Sequence, residues 1–515
     1  MRPGVPEGWR AWAITALSVV TAAVLVLTIT GRMPGDGGPD EPPQPSPTGP
    51  GAQPAPAVLE PAGDDAAEPD DAGIAAVLGP LLRQPALGPR VGVSVVDVAT
   101  GRQVFGRAAG TPTTPASTAK LLTAAAALAR LGPEHQLTTT VVAGAAAGQV
   151  VLVGGGDPTL ATSPGSGAPR WASLPTLAAE TAAALRSRGV TRVAVVYDDG
   201  LFAPPTSAAQ WPDGPDGYVA SGIVAPVTAL AVDEARTGPP AVGTAPRSAD
   251  PSAAAARAFA AALTDAGVTV TGRPTRGRAP TAAPSTPAAT PAATPAATPA
   301  ATPAPLAPGT VLGAVSSPPV SVLVEWTLST SDNDLAEALA RHVAIEAGRT
   351  PDFAGAAAAV RAAVGELGLP VADLQLYDGS GLAAANRARP ELIARLLATA
   401  ASDDRPELRA VVTGLSVAGF VGTLAERFTG PLTEPAAGLV RGKTGTLTGV
   451  GALAGTVLDA DGRALAFAFL ADAVPAGAVL EARAALDRLA TALASCGCRT
   501  PSAAATPSAA ASPSG

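Results

Sequence analysis

Ser117-Thr118-Ala119-Lys120 opens the Ala/Leu-rich run that continues to Leu131, just after Pro112 and Pro115, and it sets the terms for the rest of the chain. The run reads as a long helix. On a helix, positions i and i+3 share a face, so the Ser117 hydroxyl and the Lys120 amine approach each other. A helix N-terminus adds free N–H groups and a positive field that stabilise an alkoxide or oxyanion. A serine hydroxyl needs a neighbouring base to become a nucleophile, and a lysine with a lowered pKa can serve. Taken alone, the four residues read equally well as an N-cap serine and a solvent-facing lysine.

The scarcity of lysine changes that balance. The chain holds 34 Lys plus Arg, of which only Lys120 and Lys443 are lysines. Arginine stays protonated at ordinary pH, whereas lysine loses its proton when desolvated or set beside another cation. Lysines that survive so strong a bias point to chemistry that arginine cannot perform. Lys443 lies in Arg441-Gly442-Lys443-Thr444-Gly445-Thr446-Leu447, which leads into an apolar strand pattern. A lysine on an edge strand, flanked by hydroxyls and glycines, can hold a carboxylate while a peptide lies along the strand. A third cluster, Ser331-Asp332-Asn333, opens a helix-like run from Asp334 to Ala344 and reads otherwise as a capping cluster with Ser and Asn as the caps.

Around these motifs the pattern predicts a short helix over 72–78 stopped by Gly79-Pro80, and a strand over 91–98. Strands over 447–457 and 463–470 flank a hairpin turn at 459–462, and an amphipathic helix over 481–494 closes the fold. Strands bracketing helices, with the first and last strands paired, give an α/β (α+β) fold: a sheet covered by helices.

Ser-x-x-Lys, Ser-Asp-Asn and Lys-Thr-Gly in this order form the signature of penicillin-binding proteins and class A β-lactamases. The chain resembles the D-alanyl-D-alanine carboxypeptidase/endopeptidase family, the class C low-molecular-mass penicillin-binding proteins, in which a large insertion follows the first motif. Other stretches carry the resemblance: Gly154-Gly155-Gly156-Asp157-Pro158-Thr159-Leu160, Asp198-Asp199-Gly200-Leu201-Phe202, Ala225-Pro226-Val227-Thr228-Ala229-Leu230 and Asp378-Gly379-Ser380-Gly381-Leu382. The chain departs from the family at Ala383 and Ala384, where a Ser and an Arg are usual.

The resemblance implies a β-lactamase/transpeptidase-like domain, an antiparallel sheet between helices, formed by residues 72–145 and 312–498, with residues 146–311 inserted. It implies that Ser117 is acylated, Lys120 takes its proton, and Ser331 relays a proton to the leaving amine. Asn333 would bind the acyl part of the substrate, and Lys443, Thr444, Gly445 and Thr446 its terminal carboxylate. Backbone N–H groups of Ser117 and Thr446 would form the oxyanion hole. The implied partners are peptidoglycan stem peptides, with β-lactams as covalent inhibitors; no metal or cofactor is implied. A class A β-lactamase would need a deacylating glutamate in Glu-x-x-Leu-Asn after Asn333, and none is found. The alternative from another class is an inactive wall-binding or β-lactam-sensing protein.

Composition bounds the rest. A net charge of −8 argues against nucleic acid, whose phosphates need a basic face. Residues 1–10 read as a cytoplasmic tail. Residues 11–30 form an uncharged apolar run, long enough for a bilayer core of roughly 30 Å. Arg2 and Arg10 precede it and acidic residues follow, so it reads as a single-pass anchor with the bulk exported. A cleaved leader, giving a secreted chain, is the alternative. Residues 31–71 read as a disordered linker, the Thr-Pro-Ala-Ala repeats within 273–308 as a low-complexity loop protruding from a folded region, and 499–515 as a disordered tail. Cys496 and Cys498 could close a disulfide, bind a metal weakly or stay free. His135 and His342, the two histidines, read as ordinary structural or surface residues.

Overall fold

The computed structural model describes residues 66–165, 169–280 and 306–499; the expected anchor, most of the linker, most of the low-complexity loop and nearly all of the tail lie outside them. In chain order the principal elements are α1 (Asp71–Leu81), β1 (Val91–Asp97), β2 (Gln103–Arg107), α2 (Lys120–Leu131), β3 (Thr138–Ala143) and β4 (Gln149–Val153). Next come α3 (Leu174–Arg186), β5 (Arg192–Asp198), α4 (Pro251–Asp265), β6 (Thr269–Val270), β7 (Thr275–Arg276) and β8 (Val311–Ser316). The chain continues through α5 (Val320–Thr330), α6 (Asn333–Glu346), α7 (Phe353–Glu366), α8 (Pro390–Ala401), α9 (Arg409–Thr413) and β9 (Ser416–Val417). It closes with β10 (Val440–Leu447), β11 (Val450–Leu458), β12 (Ala464–Ala471) and α10 (Val479–Ala494).

One sheet has the order β2-β1-β12-β11-β10-β9 and pairs antiparallel throughout. The first and last long strands pair along their full length, from Val91 opposite Ala471 to Asp97 opposite Leu465. The period-2 alternation of side chains sorts β12 between two cores. Ala466, Ala468 and Leu470 face a layer built from α2, α5, α6, α7, α8 and α9. Leu465, Phe467 and Phe469 face α1 and α10. Small residues on the first face let the helical layer carrying the three motifs approach closely. The sheet is thus covered on both sides, as the expected fold requires.

A second sheet, β6-β5-β4-β3-β8 with β7 also on β5, mixes parallel and antiparallel pairs. Its core is the α3–α4 pair, including Leu177, Ala182, Phe259 and Leu263. A third cluster joins the segment after β5 to α6, α7 and the loop before α8: Phe202, Trp211, Val224 and Val227 pack with Ala338, Phe353, Leu382 and Ala383.

Local expectations are corrected in three places. Pro80 does not stop the first helix but sits in its last turn, where only one backbone hydrogen bond is forfeited before the end at Leu81. The cap of α6 is Asp332, whose carboxylate accepts from the Leu335 N–H at 2.9 Å; Ser331 and Asn333 are left for other contacts. The strand pattern expected from 447 is two strands: Val440–Leu447 carries Lys443 within it and turns into Val450–Leu458. The Cys496–Cys498 alternatives resolve as a disulfide.

Candidate active site

Ser117 lies in a 3-10 turn, Ala116–Ala119, rather than in the α-helix itself, which starts at Lys120. Ala116 just before it has φ 47, a left-handed value that costs energy for a residue with a Cβ. Tight packing holds the turn there. A Cβ at Gly381 would lie 2.0 Å from the Ala116 carbonyl oxygen, and one at Gly445 would lie 2.9 Å from that of Pro115. The Lys-Thr-Gly glycine therefore lets β10 seat directly against the nucleophile turn, and it is needed for that approach as well as for any substrate.

Lys120 is fully buried, and its Nζ lies 3.3 Å from Ser117 Oγ. It also donates to Asn333 Oδ1 at 2.7 Å and to the Ser380 carbonyl at 2.7 Å. Burial lowers its pKa to about 8, against the opposing pull of Asp378 and Glu337. Lys443 is also fully buried and donates to Ser331 Oγ at 2.9 Å and to the Thr444 carbonyl. Burial, reinforced by the charge on Lys120, lowers its pKa well below the usual lysine range. The Thr444 hydroxyl donates to that of Thr423 at 3.0 Å, fixing its rotamer. Ser331 is itself left-handed, with φ 62.

Six of the eight residues singled out in the sequence are thus joined in two chains, Ser117–Lys120–Asn333 and Ser331–Lys443–Thr444. Gly445 and Thr446 follow on the same strand, opposite Ala452 and Gly451 of β11.

Two buried acids beside these chains carry no role in the sequence reading, Asp378 standing there only as the first residue of a family-like stretch. Glu337 accepts from the Gly379 and Ser380 N–H groups and so aims the Ser380 carbonyl at Lys120; burial, with Asp378 nearby, raises it to about 7. It lies four residues after Asn333 on α6, so the helical period was its available signal. Asp378 accepts from the Gly381 and Ala383 N–H groups, Asn386 Nδ2 and Trp211 Nε1. The departure at Ala383 is accommodated because this network uses its backbone N–H.

Each of the two buried lysines is held by a second motif: Lys120 by the Asn333 amide oxygen and Lys443 by the Ser331 hydroxyl. The sequence model of the D-Ala-D-Ala carboxypeptidase 3 (S13) family matches residues 74–245 and 293–493. The chain belongs to this family of serine peptidases. Among S13 relatives, it is 35% identical over 450 residues to a carboxypeptidase of Mycobacterium tuberculosis, covering 86% of this chain and 88% of that one. It is 34% identical over 502 residues to the carboxypeptidase DacB of Mycolicibacterium smegmatis, covering 96% and 99%. A D-alanyl-D-alanine carboxypeptidase of Actinomadura is 30% identical over 452 residues, covering 76% and 79%. The S13 fold is matched by the crystal structure of penicillin-binding protein 4 from Haemophilus influenzae, with a TM-score of 0.62 at 22% identity over 81% of this chain and 97% of that one.

Proposed function

We propose that this S13 serine D-Ala-D-Ala carboxypeptidase acts on peptidoglycan stem peptides through an acyl-enzyme on Ser117. The observation that carries the assignment is the Lys120 Nζ, buried and depressed, in reach of the Ser117 hydroxyl. Near neutrality a useful fraction of Lys120 is unprotonated, as a general base requires. Ser117 Oγ attacks the carbonyl between two D-alanines and Lys120 takes its proton. The tetrahedral oxyanion lies toward the N–H groups of Ser117 and Thr446. Collapse breaks the C–N bond, and the departing amine takes a proton through Ser331, which Lys443 holds. Water then cleaves the ester and regenerates Ser117. Lys443 and Thr444 take the terminal carboxylate, whose charge restores the ammonium that burial disfavours. Asn333 holds the acyl side.

A β-lactam enters the same path and leaves a slowly hydrolysed adduct. A solved relative of this fold, penicillin-binding protein 4 of Haemophilus influenzae, is described in complex with a β-lactam. The reading also extends to cleavage of cross-linked stem peptides, since that bond also follows a D-Ala carbonyl. Residues 11–30 hold the chain to the membrane with the catalytic part outside the cytoplasm; among the described residues no helix is long and apolar enough to span.

Two assays test these points. The full chain releases D-Ala from a D-Ala-D-Ala-terminated pentapeptide, and Ser117→Ala does not; absence of release by the folded parent contradicts the proposal. Fractionation with and without residues 1–30 tests the anchor, which predicts a shift from membrane to soluble fraction.

A further inference from the structure

Ser331 and Asn333 need an explanation that the catalytic sheet does not supply. A serine held at φ 62 persists only where its surroundings over-determine it. Part of that constraint comes from the inserted residues. Asn333 Nδ2 donates to the Ile223 carbonyl at 2.9 Å, which fixes the amide so that its oxygen, not its nitrogen, meets Lys120. One residue on, Asp334 Oδ1 accepts from the Ala225 N–H at 2.7 Å. Its second oxygen lies 3.0 Å from Arg247 Nη2.

Arg247 is nearly inaccessible, with 2% of its side chain exposed. It also pairs with Glu234 Oε2 at 3.4 Å and donates to the Glu234 carbonyl. Glu234 in turn pairs with Arg236, which donates to the Pro240 and Gly243 carbonyls. Asp233, Glu234 and Ala235 are all left-handed, at φ 49, 53 and 58, so Glu234 sits in a backbone that is itself held under strain.

We infer that Arg247 and Glu234 are positioning residues for the reaction: through Asp334 they hold the 223–225 segment against α6, and so fix the Asn333 amide and the Ser331 loop relative to Lys120 and Lys443. The inference rests on reading Ser117, Ser331 and Lys443 as the reactive site. It gives the insertion a task in the chemistry that its lack of catalytic side chains conceals.

The charges fit this role. Glu234, Asp332 and Asp334 bring carboxylate oxygens within 4.8 Å of one another. Arg247 and Arg236 already balance them, which leaves little to attract a cation. Asp332 and Asp334 face the cluster from the start of α6, Glu234 and Arg236 from the left-handed turn, and Arg247 from the strand-like segment beyond. Burial raises Glu234 to about 9 and Asp334 to about 7. With Arg247 gone, three crowded carboxylates face Arg236 alone. Glu234 and Asp334 then repel each other and the adjoining Asp332 carboxylate as Glu234 and Asp334 ionise, so the damage grows with rising pH.

The test measures the second-order acylation rate of the full chain by a fluorescent penicillin from pH 6 to 9, alongside circular dichroism and thermal unfolding. Arg247→Met is expected to stay folded and to lose at least tenfold in acylation at pH 8, with a smaller loss at pH 6. The loss falls on the acylation step rather than on initial binding, and Arg247→Lys restores part of it. Asp334→Asn, close in shape, lowers the rate similarly, and adding Arg247→Met to it costs little more, because both act through one contact. A lower melting temperature with an acylation rate of the folded fraction equal to the parent's at every pH overturns the inference, as do independent, multiplying effects of the two substitutions. Should Arg247→Met fail to fold, Asp334→Asn and Glu234→Gln, singly and together, carry the same comparison. A parent that is not acylated at all counts against the proposed function instead.

Discussion

The two sheets divide the work unequally. The antiparallel sheet and its helical layer carry every side chain placed in the reaction: Ser117, Lys120, Ser331, Asn333, Lys443 and Thr444. The mixed sheet β3–β8 carries none of them. Yet the connection that follows β5 supplies the Ile223 carbonyl, the Ala225 N–H, Trp211 and Arg247 to residues beside the nucleophile. The first region does its chemistry with side chains whose pKa values burial has moved. The second contributes backbone groups and charge balance, which need shape but little sequence. On the proposed reading, a region that bears none of the three catalytic motifs still supports the site they form.

Substitutions in each region sharpen that contrast. The largest effect is expected at Lys120. Lys120→Arg keeps a cation but removes a base that can lose its proton, so acylation falls by roughly 10²–10⁴-fold. In the parent, acylation rises with pH through about 8 as Lys120 is released from its proton. Equal acylation rates for Lys120→Arg and parent would remove lysine from the mechanism.

Next is the packing of the mixed sheet. Phe259 is fully buried between α4 and that sheet, and Phe259→Ala is expected to cost about 3–5 kcal/mol. If the insertion helps hold the site, heating this variant abolishes acylation at its lowered transition. Acylation that persists after the insertion has melted would break the comparison.

A smaller change is expected from Glu337→Gln. It keeps the shape beneath Gly379 and Ser380 but removes a charge that raises the Lys120 pKa. The pH–acylation limb moves to lower pH by about 1 unit; a move to higher pH contradicts the assigned sign. The smallest is Trp211→Phe, which leaves Asp378 short of one donor at a cost of about 1–3 kcal/mol, measured by denaturant unfolding.

The legible part of this site was the part with unusual residue choice. Two lysines among so many arginines marked Lys120 and Lys443, whose motifs brought Ser117 and Thr444 with them; Ser331 and Asn333 came from the third motif lying between them in sequence. The pairing of the first and last strands was readable from their largely apolar runs, Val91–Asp97 and Ala464–Ala471. Other features were hidden because no local pattern encodes them. That Gly445 is demanded by the neighbouring turn at Pro115 and Ala116, as well as by any substrate, shows only once the fold brings that turn against β10. Asp332 won the cap from Ser331 because Ser331 is committed to Lys443. Arg247 looked like any other arginine until folding placed it between Asp334 and Glu234.

The central claim is that Ser117 is the residue acylated, and mass mapping of the penicillin adduct tests it most directly. The full chain, labelled with a fluorescent penicillin and digested, is expected to carry a single adduct on the peptide containing Ser117, and Ser117→Ala to carry none. A folded parent that takes no label, or an adduct that stays when Ser117 is replaced, would contradict the account.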